Sequence, residues 1–415
     1  MANYKQEWSR RKFITVTTGA AAAMAFNPFS SWAVDRSDRR IKAIVAKAMG
    51  IDTHNHIDVP LDTDELPGPE MKLSGEMKKS GLAAICMTFA TDYKRNIAPG
   101  EAYQRFLNGL TAMDAMLANN KMNRSLNIDD LNAAYKKREP TVIQSVEGCH
   151  FLEGKLDRVG VAYSRGLRHL GLLHDSDASV PLGDVYTNPA KWNGVTSFGE
   201  DVIRECNRLG MVIDLAHASN DALNAALKIT KHPFIISHTG LDTQLGQNEF
   251  MAKMMRPRLI SKEQAKIVAD AGGIIGVWTH LADTPLDYAK NIKALVDVVG
   301  IDHVSIGTDT KLTPSYRSPK NDFGPRPGDK PLGEKKDDAN RQDRPPRDNN
   351  KPGGPGNNKG GRPGERTNEA WVDEKEGFYY VVVDALLKTG FTEDEIVKIG
   401  GKNYCRVFDE ATKGH

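Results

Sequence analysis

The residues of this chain that could do chemistry are histidines and carboxylates that recur at the ends of short apolar runs. Asp52-Thr53-His54-Asn55-His56 carries two histidines two positions apart. In an extended segment alternate side chains share a face, so His54 and His56 can bind one metal ion. Glu147 closes a run in Val146-Glu147-Gly148-Cys149-His150, and His174 closes the next. His217 ends Ile213-Asp214-Leu215-Ala216-His217, His238 ends Ile235-Ile236-Ser237-His238, and Asp309 ends Gly307-Thr308-Asp309. Any one such histidine is more often a structural polar group than a ligand. Their repetition in register is what points to a metal site.

Imidazoles mixed with carboxylates suit zinc, ahead of manganese, iron or cobalt. His54, His56, His217 and His238 are too many for one catalytic zinc that keeps an open position. Two divalent ions use them all, with His54 and His56 on one, His217 and His238 on the other, and Glu147 bridging. Ions ~3.5–4 Å apart can share a hydroxide at neutral pH. Asp309 is then free to orient that nucleophile and carry its proton to a leaving group. A single ion with a spare histidine is the alternative.

These side chains need a frame that brings distant run ends together. β-rich runs fall at residues 50–54, 82–90, 141–147, 167–174, 211–217, 233–238, 273–278 and 303–309. Helical patterns lie between most of them, as at 199–209, 221–229, 262–271 and 288–299. Near-continuously apolar runs are those of parallel strands buried on both faces. Eight strand–helix units predict an α/β fold, a single (β/α)8 TIM-type barrel, whose active site lies at the carboxyl ends of its strands. No Gly-x-Gly-x-x-Gly turn follows any run, which argues against a doubly wound open sheet.

Two segments stand outside this pattern. Residues 315–368 are rich in Pro, Gly and charge, with almost no aliphatic residues, and read as a disordered insertion after the eighth strand. The barrel is therefore assigned to 34–314 and 369–415. Residues 1–33 read as a twin-arginine signal peptide: Ser9-Arg10-Arg11-Lys12-Phe13-Ile14, a mild apolar stretch, then Ser31-Trp32-Ala33 before the expected cleavage. That predicts the twin-arginine export machinery as a partner and a periplasmic or extracellular location.

The chain has 415 residues, with 56 Lys plus Arg against 54 Asp plus Glu. Near-balance excludes a polybasic nucleic-acid binder. The balance is a composite, because leader and insertion are both basic and leave the barrel acidic, at about −6. Four scattered cysteines exclude a disulfide-built scaffold and read as buried thiols, with a disulfide conceivable only after export. No mature segment is apolar enough to span a bilayer.

The motifs at His54, Glu147, His217 and His238, together with Gly401-Lys402-Asn403-Tyr404-Cys405-Arg406-Val407-Phe408, resemble those of the renal or membrane dipeptidase family of amidohydrolase-like barrels. The resemblance runs from about residue 50 to 408, interrupted by the insertion. It implies two zinc ions bridged by Glu147, with His217 and His238 on the second. It also implies an oxyanion-steadying role for His174, a final-strand aspartate at Asp309 and members that are often dimers. An arginine holding the substrate's free carboxylate falls on Arg258, with Arg256 as the alternative. The chain departs from the family in two places. Position 56 is His where the family has Asp, leaving Asp58 as an outside candidate. Thr310-Lys311-Leu312 follows Asp309 where the family continues with a second aspartate and glycine. Three functions stand open: an exported metallodipeptidase acting on dipeptide-like substrates, a binuclear hydrolase of another amide, lactone or ester, and a non-catalytic binding protein.

Overall fold

Each apolar run with β-branched residues becomes a strand, and each strand pairs in parallel with the next. The computed structural model describes residues 39–92, 98–318, 364–371 and 376–415. The strands are β1 Ile51–His56, β2 Ala84–Thr88, β3 Thr141–Val146, β4 Leu167–Gly171, β5 Val212–Asp214, β6 Ile235–Thr239, β7 Ile274–Val277 and β8 Val304–Ile306. They run in sequence order, and β8 pairs with β1 to close an eight-stranded parallel barrel. The expected (β/α)8 barrel is what the chain forms.

The connecting helices start where the sequence supplies caps. Thr196 caps Ser197–Leu209, Ser219 caps Asn220–Leu227, Ser261 caps Lys262–Asp270 and Thr284 caps Pro285–Val299. In each case the side chain accepts a backbone N–H that the first turn leaves unpaired, typically stabilising by ~1 kcal/mol. Pro285 sits at the first position of its helix, where a missing N–H costs nothing.

The barrel has a floor and a rim. Ile51, Ala84, Cys86, Ile143, Val212, Ile235 and Ile274 cluster with Tyr404, Val407 and Phe408 of the helix Asn403–Thr412. These strand residues come early in their strands, so this helix covers the amino-terminal end. Each Ile, Val or Phe side chain so buried contributes roughly 1.5–3 kcal/mol. The opposite end is left for chemistry.

Three strands stop earlier than expected. β4, β5 and β8 each end three residues before His174, His217 and Asp309. His217 (φ +67°) and Asp309 (φ +55°) instead take the left-handed conformation, which costs a non-glycine residue of the order of 1–2 kcal/mol. At Asp309 this turn sends the chain into β9, Thr310–Lys311, which pairs with β1 beside Asn55 and His56. The loop that departs from the family pattern thus becomes an extra strand against the metal-ligand candidates.

The boundary drawn at 315–368 was too wide. Thr367 and Asn368 are buried, and Lys311 bridges to Arg366 with its amide donating to the Glu365 carbonyl at 2.9 Å. Ser315 Oγ donates to Glu365 and Tyr316 Oη to Glu65. A composition reading averages these few packed residues into their polar neighbours. The rest of the expected insertion, 319–363, lies outside the described residues, as does the expected signal peptide. Cys86, Cys149, Cys206 and Cys405 are all free thiols, the first three buried. No helix among the described residues is long and apolar enough to cross a membrane.

Candidate metal centre

β1 brings the first pair into register. Its alternation puts His54 and His56 on one side, with their Nε2 atoms 3.2 Å apart. Asp309 Oδ1 lies 3.1 Å from His56 Nε2 and 3.8 Å from His54 Nε2. Across the rim, His217 Nε2 lies 2.9 Å from Glu147 Oε1 and 3.0 Å from His238 Nε2. Glu147 stands between the two sets. Its Oε1 is 3.4 Å from His54 Nε2, and its Oε2 is 3.3 Å from His174 Nε2 and 3.5 Å from His56 Nε2. Three overlapping groups emerge: His54, His56 and Asp309; His54, Glu147 and His238; Glu147, His174 and His217.

These residues fit divalent ions. Two nitrogens bound to one tetrahedral zinc would lie about 3.4 Å apart, from a Zn–N distance near 2.0–2.1 Å. Glu147 Oε2 is buried without a hydrogen-bond partner among the described residues, the condition of an oxygen placed for an ion.

An outer set of partners fixes the rings. Ser237 Oγ lies 3.2 Å from His54 Nδ1 and 2.9 Å from His238 Nδ1. The hydroxyl can hold itself there because the Ser237 amide donates to Asp214 Oδ1 and because Gly307 has no side chain, where a Cβ would sit 1.8 Å from the Ser237 carbonyl. His174 Nδ1 lies 2.8 Å from Asp92 Oδ1. His217 Nδ1 lies 3.0 Å from Asp175 Oδ1 and 2.8 Å from Tyr186 Oη. Such contacts turn each Nε2 toward the centre.

The charges follow from this packing. Burial pushes the Glu147 carboxyl up, but the imidazoles of His174, His54 and His56 and the hydrogen bond from His217 override it, holding it well below the usual carboxylate range. Asp309 behaves likewise, with burial opposed by His238 and by hydrogen bonds from His280 and His56. Burial pushes His56 down, yet Glu147 and Asp309 raise it to about 9. His217 also resists burial, with Asp175 and Glu147 raising it to about 10. Burial and the neighbouring His238 leave His54 well below its ordinary value.

All seven of His54, His56, Glu147, His174, His217, His238 and Asp309 therefore meet. Asp309 is held on both oxygens in the ion-free chain, Oδ1 3.1 Å from His56 Nε2 and Oδ2 2.7 Å from His280 Nε2. Asp58 is elsewhere, paired with Lys311 Nζ at 2.8 Å. Arg258, on the turn Arg256–Arg258, is the arginine that reaches the rim, where its Nη2 donates to Asp175 Oδ2 at 2.5 Å. Sequence reasoning missed Asp92, Asp175, Tyr186 and His280. His280 had a signal, since it lies two residues past the run 273–278 and obeys the same strand-end rule. The others sit in loops where no spacing marks them.

A parallel barrel with converging imidazoles and carboxylates at its carboxyl rim defines a metal-dependent hydrolase architecture. The chain belongs to the membrane dipeptidase family, peptidase family M19, whose profile matches residues 38–317. It is 29% identical over 192 residues to an uncharacterized dipeptidase of Schizosaccharomyces pombe; the match covers 44% of each chain. It is similar in fold to an amidohydrolase from Pseudomonas aeruginosa (19% identity, TM-score 0.62, covering 89% of this chain and 98% of that one). It is also similar to a Rhodobacter sphaeroides metallo peptidase liganded with a phosphinate mimic of the dipeptide L-Ala-D-Ala (13% identity, TM-score 0.58, covering 87% and 99%).

Proposed function

We propose that this chain is an exported metallodipeptidase holding two divalent ions, zinc first among them. The observation that carries the reading is the convergence of Nε2 and carboxylate atoms around Glu147, whose buried Oε2 takes no hydrogen bond among the described residues. His54 and His56 would hold one ion and His217 and His238 the other, with Glu147 between and Asp309 beside the first pair. Such ions polarise a scissile carbonyl and bring the pKa of a water near neutral. His174, oriented by Asp92, donates its Nε2–H to the oxygen on which negative charge builds. Asp309, held by His280, takes the proton of the attacking water and passes it to the departing amine. Arg258 stands at the rim paired with Asp175, where the far end of a substrate would lie. Export rests on the paired arginines Arg10 and Arg11.

The test is metal analysis of the purified chain followed by a hydrolysis screen over L- and D-configured dipeptides, dipeptide amides and lactones. The expected result is about two ions per chain and dipeptide cleavage that a chelator removes and zinc restores. A metal-loaded chain that cleaves no dipeptide or amide sinks the reading. A second reading, hydrolysis of another amide, lactone or ester, is favoured by one observation: Arg258 already carries a carboxylate partner.

A further inference from the structure

Arg258 is engaged on more than one side. Nη2 donates to Asp175 Oδ2 at 2.5 Å, Nη1 is turned back to the Met254 carbonyl at 3.4 Å, and the guanidinium carbon stands 5.9 Å from the centre of the Tyr186 ring. Asp175 is itself pinned, because its other oxygen lies 3.0 Å from His217 Nδ1. It cannot leave Arg258 without moving against a candidate ligand. Both side chains reach solvent at the rim, Asp175 39% and Arg258 24% exposed, so an incoming substrate meets the pair and not a bare cation.

A free carboxylate approaching Arg258 must share the guanidinium with Asp175 at close range. Two carboxylates on one cation repel, and the charge-assisted bond that would reward the second is largely spent on the first. A substrate whose corresponding end is an amide or an ester meets no such repulsion. Selectivity of this kind comes from a built-in clash with the wrong ligand as much as from contacts to the right one.

We propose that Asp175 is a specificity-determining residue that masks Arg258 and turns the site from free-carboxylate dipeptides toward amide substrates with a neutral end. The inference rests on the hydrolase reading above and deepens it.

The test compares alanyl-alanine with alanyl-alanine amide as substrates of the metal-loaded wild type and of Asp175→Asn. Asparagine keeps a carbonyl oxygen toward His217 and removes the charge from Arg258; Asp175→Ser serves if the first variant folds poorly. Wild type should cleave the amide at least as well as the acid. Asp175→Asn should raise the acid-to-amide ratio of kcat/KM tenfold or more, through KM, with both substrates run on one metal-loaded preparation so that any loss of ions cancels from the ratio. A wild type that prefers the acid tenfold, together with a variant that loses activity on the acid, would mean that Asp175 anchors Arg258 for carboxylate and would overturn the proposal. Calorimetric binding of the reduced-amide (CH2–NH) analogues of both compounds gives the same ratio without turnover. No turnover with the binding shift intact would sink the hydrolase reading alone, and turnover without the shift would sink only the mask.

Discussion

Asp52 and Glu147 are both buried carboxylates of the barrel, and their surroundings treat them in opposite ways. Asp52 accepts from the His54 and Thr308 amides, from Asn55 Nδ2 and from Thr308 Oγ1, the last at 2.6 Å. The hydroxyls continue outward, Thr308 to Thr310 to Thr367, and Asn55 Nδ2 returns to Thr367 Oγ1. Every group there has a partner. Glu147 has imidazoles on every side and one oxygen without a hydrogen bond. Burial wins at Asp52, raising it to about 6, because its partners are neutral donors. The imidazoles win at Glu147 and hold it ionised. A buried carboxylate that is satisfied braces a strand, whereas one that faces a gap among nitrogens waits for an ion.

That contrast can be broken at either end. Glu147→Gln should reduce activity by more than the roughly 10–100-fold that losing an outer partner of a ligand costs, with ion content falling in parallel. Its metal-free thermal midpoint should move far less than that of Asp52→Ala. Asp52→Ala should destabilise the chain by about 3–5 kcal/mol in urea unfolding, since it strands four buried donors. Equal effects of the two on metal-free stability would erase the distinction.

His280→Ala sharpens the Asp309 side: kcat should fall about tenfold at unchanged ion content, measured by steady-state kinetics. On the pH axis, metal-free His56 and His217 keep their protons up to about 9 and 10. An ion needs bare Nε2 atoms, so uptake at pH 7 releases protons and tightens as pH rises toward those values. Calorimetry in buffers of different ionisation enthalpy reads the release. The sign for stability is opposite, because both folded values lie above the ordinary ~6.5. Their ion pairs are fully present below that value and lost from the metal-free chain as pH climbs through about 9 and 10.

The barrel was legible because parallel strands buried on both faces leave uninterrupted apolar runs such as Ile274–Val277. The ligand candidates were legible because a barrel gathers its strand ends. What escaped is instructive in its cause. Asp92 and Asp175 act on histidines far away in sequence, and nothing local requires a carboxylate there. His217 and Asp309 were expected as strand termini, yet both reach the site through left-handed turns that apolar periodicity does not encode. Thr367 looks like one more polar residue of a low-complexity stretch until Asn55 is seen beside it.

The stem joining Lys311 to Arg366 carries one further consequence, for engineering. The chain leaves and re-enters the barrel at neighbouring points, with both ends tied down by Ser315, Glu365 and Arg366. Residues 319–363 therefore join two fixed, neighbouring points, and halving the length of such a connection changes its closure free energy by only ~0.6 kcal/mol. Trimming within 320–362, inside the stem, should leave the melting temperature nearly unchanged. The same gap is then a docking port where a reporter or affinity module could be spliced in without disturbing the rim.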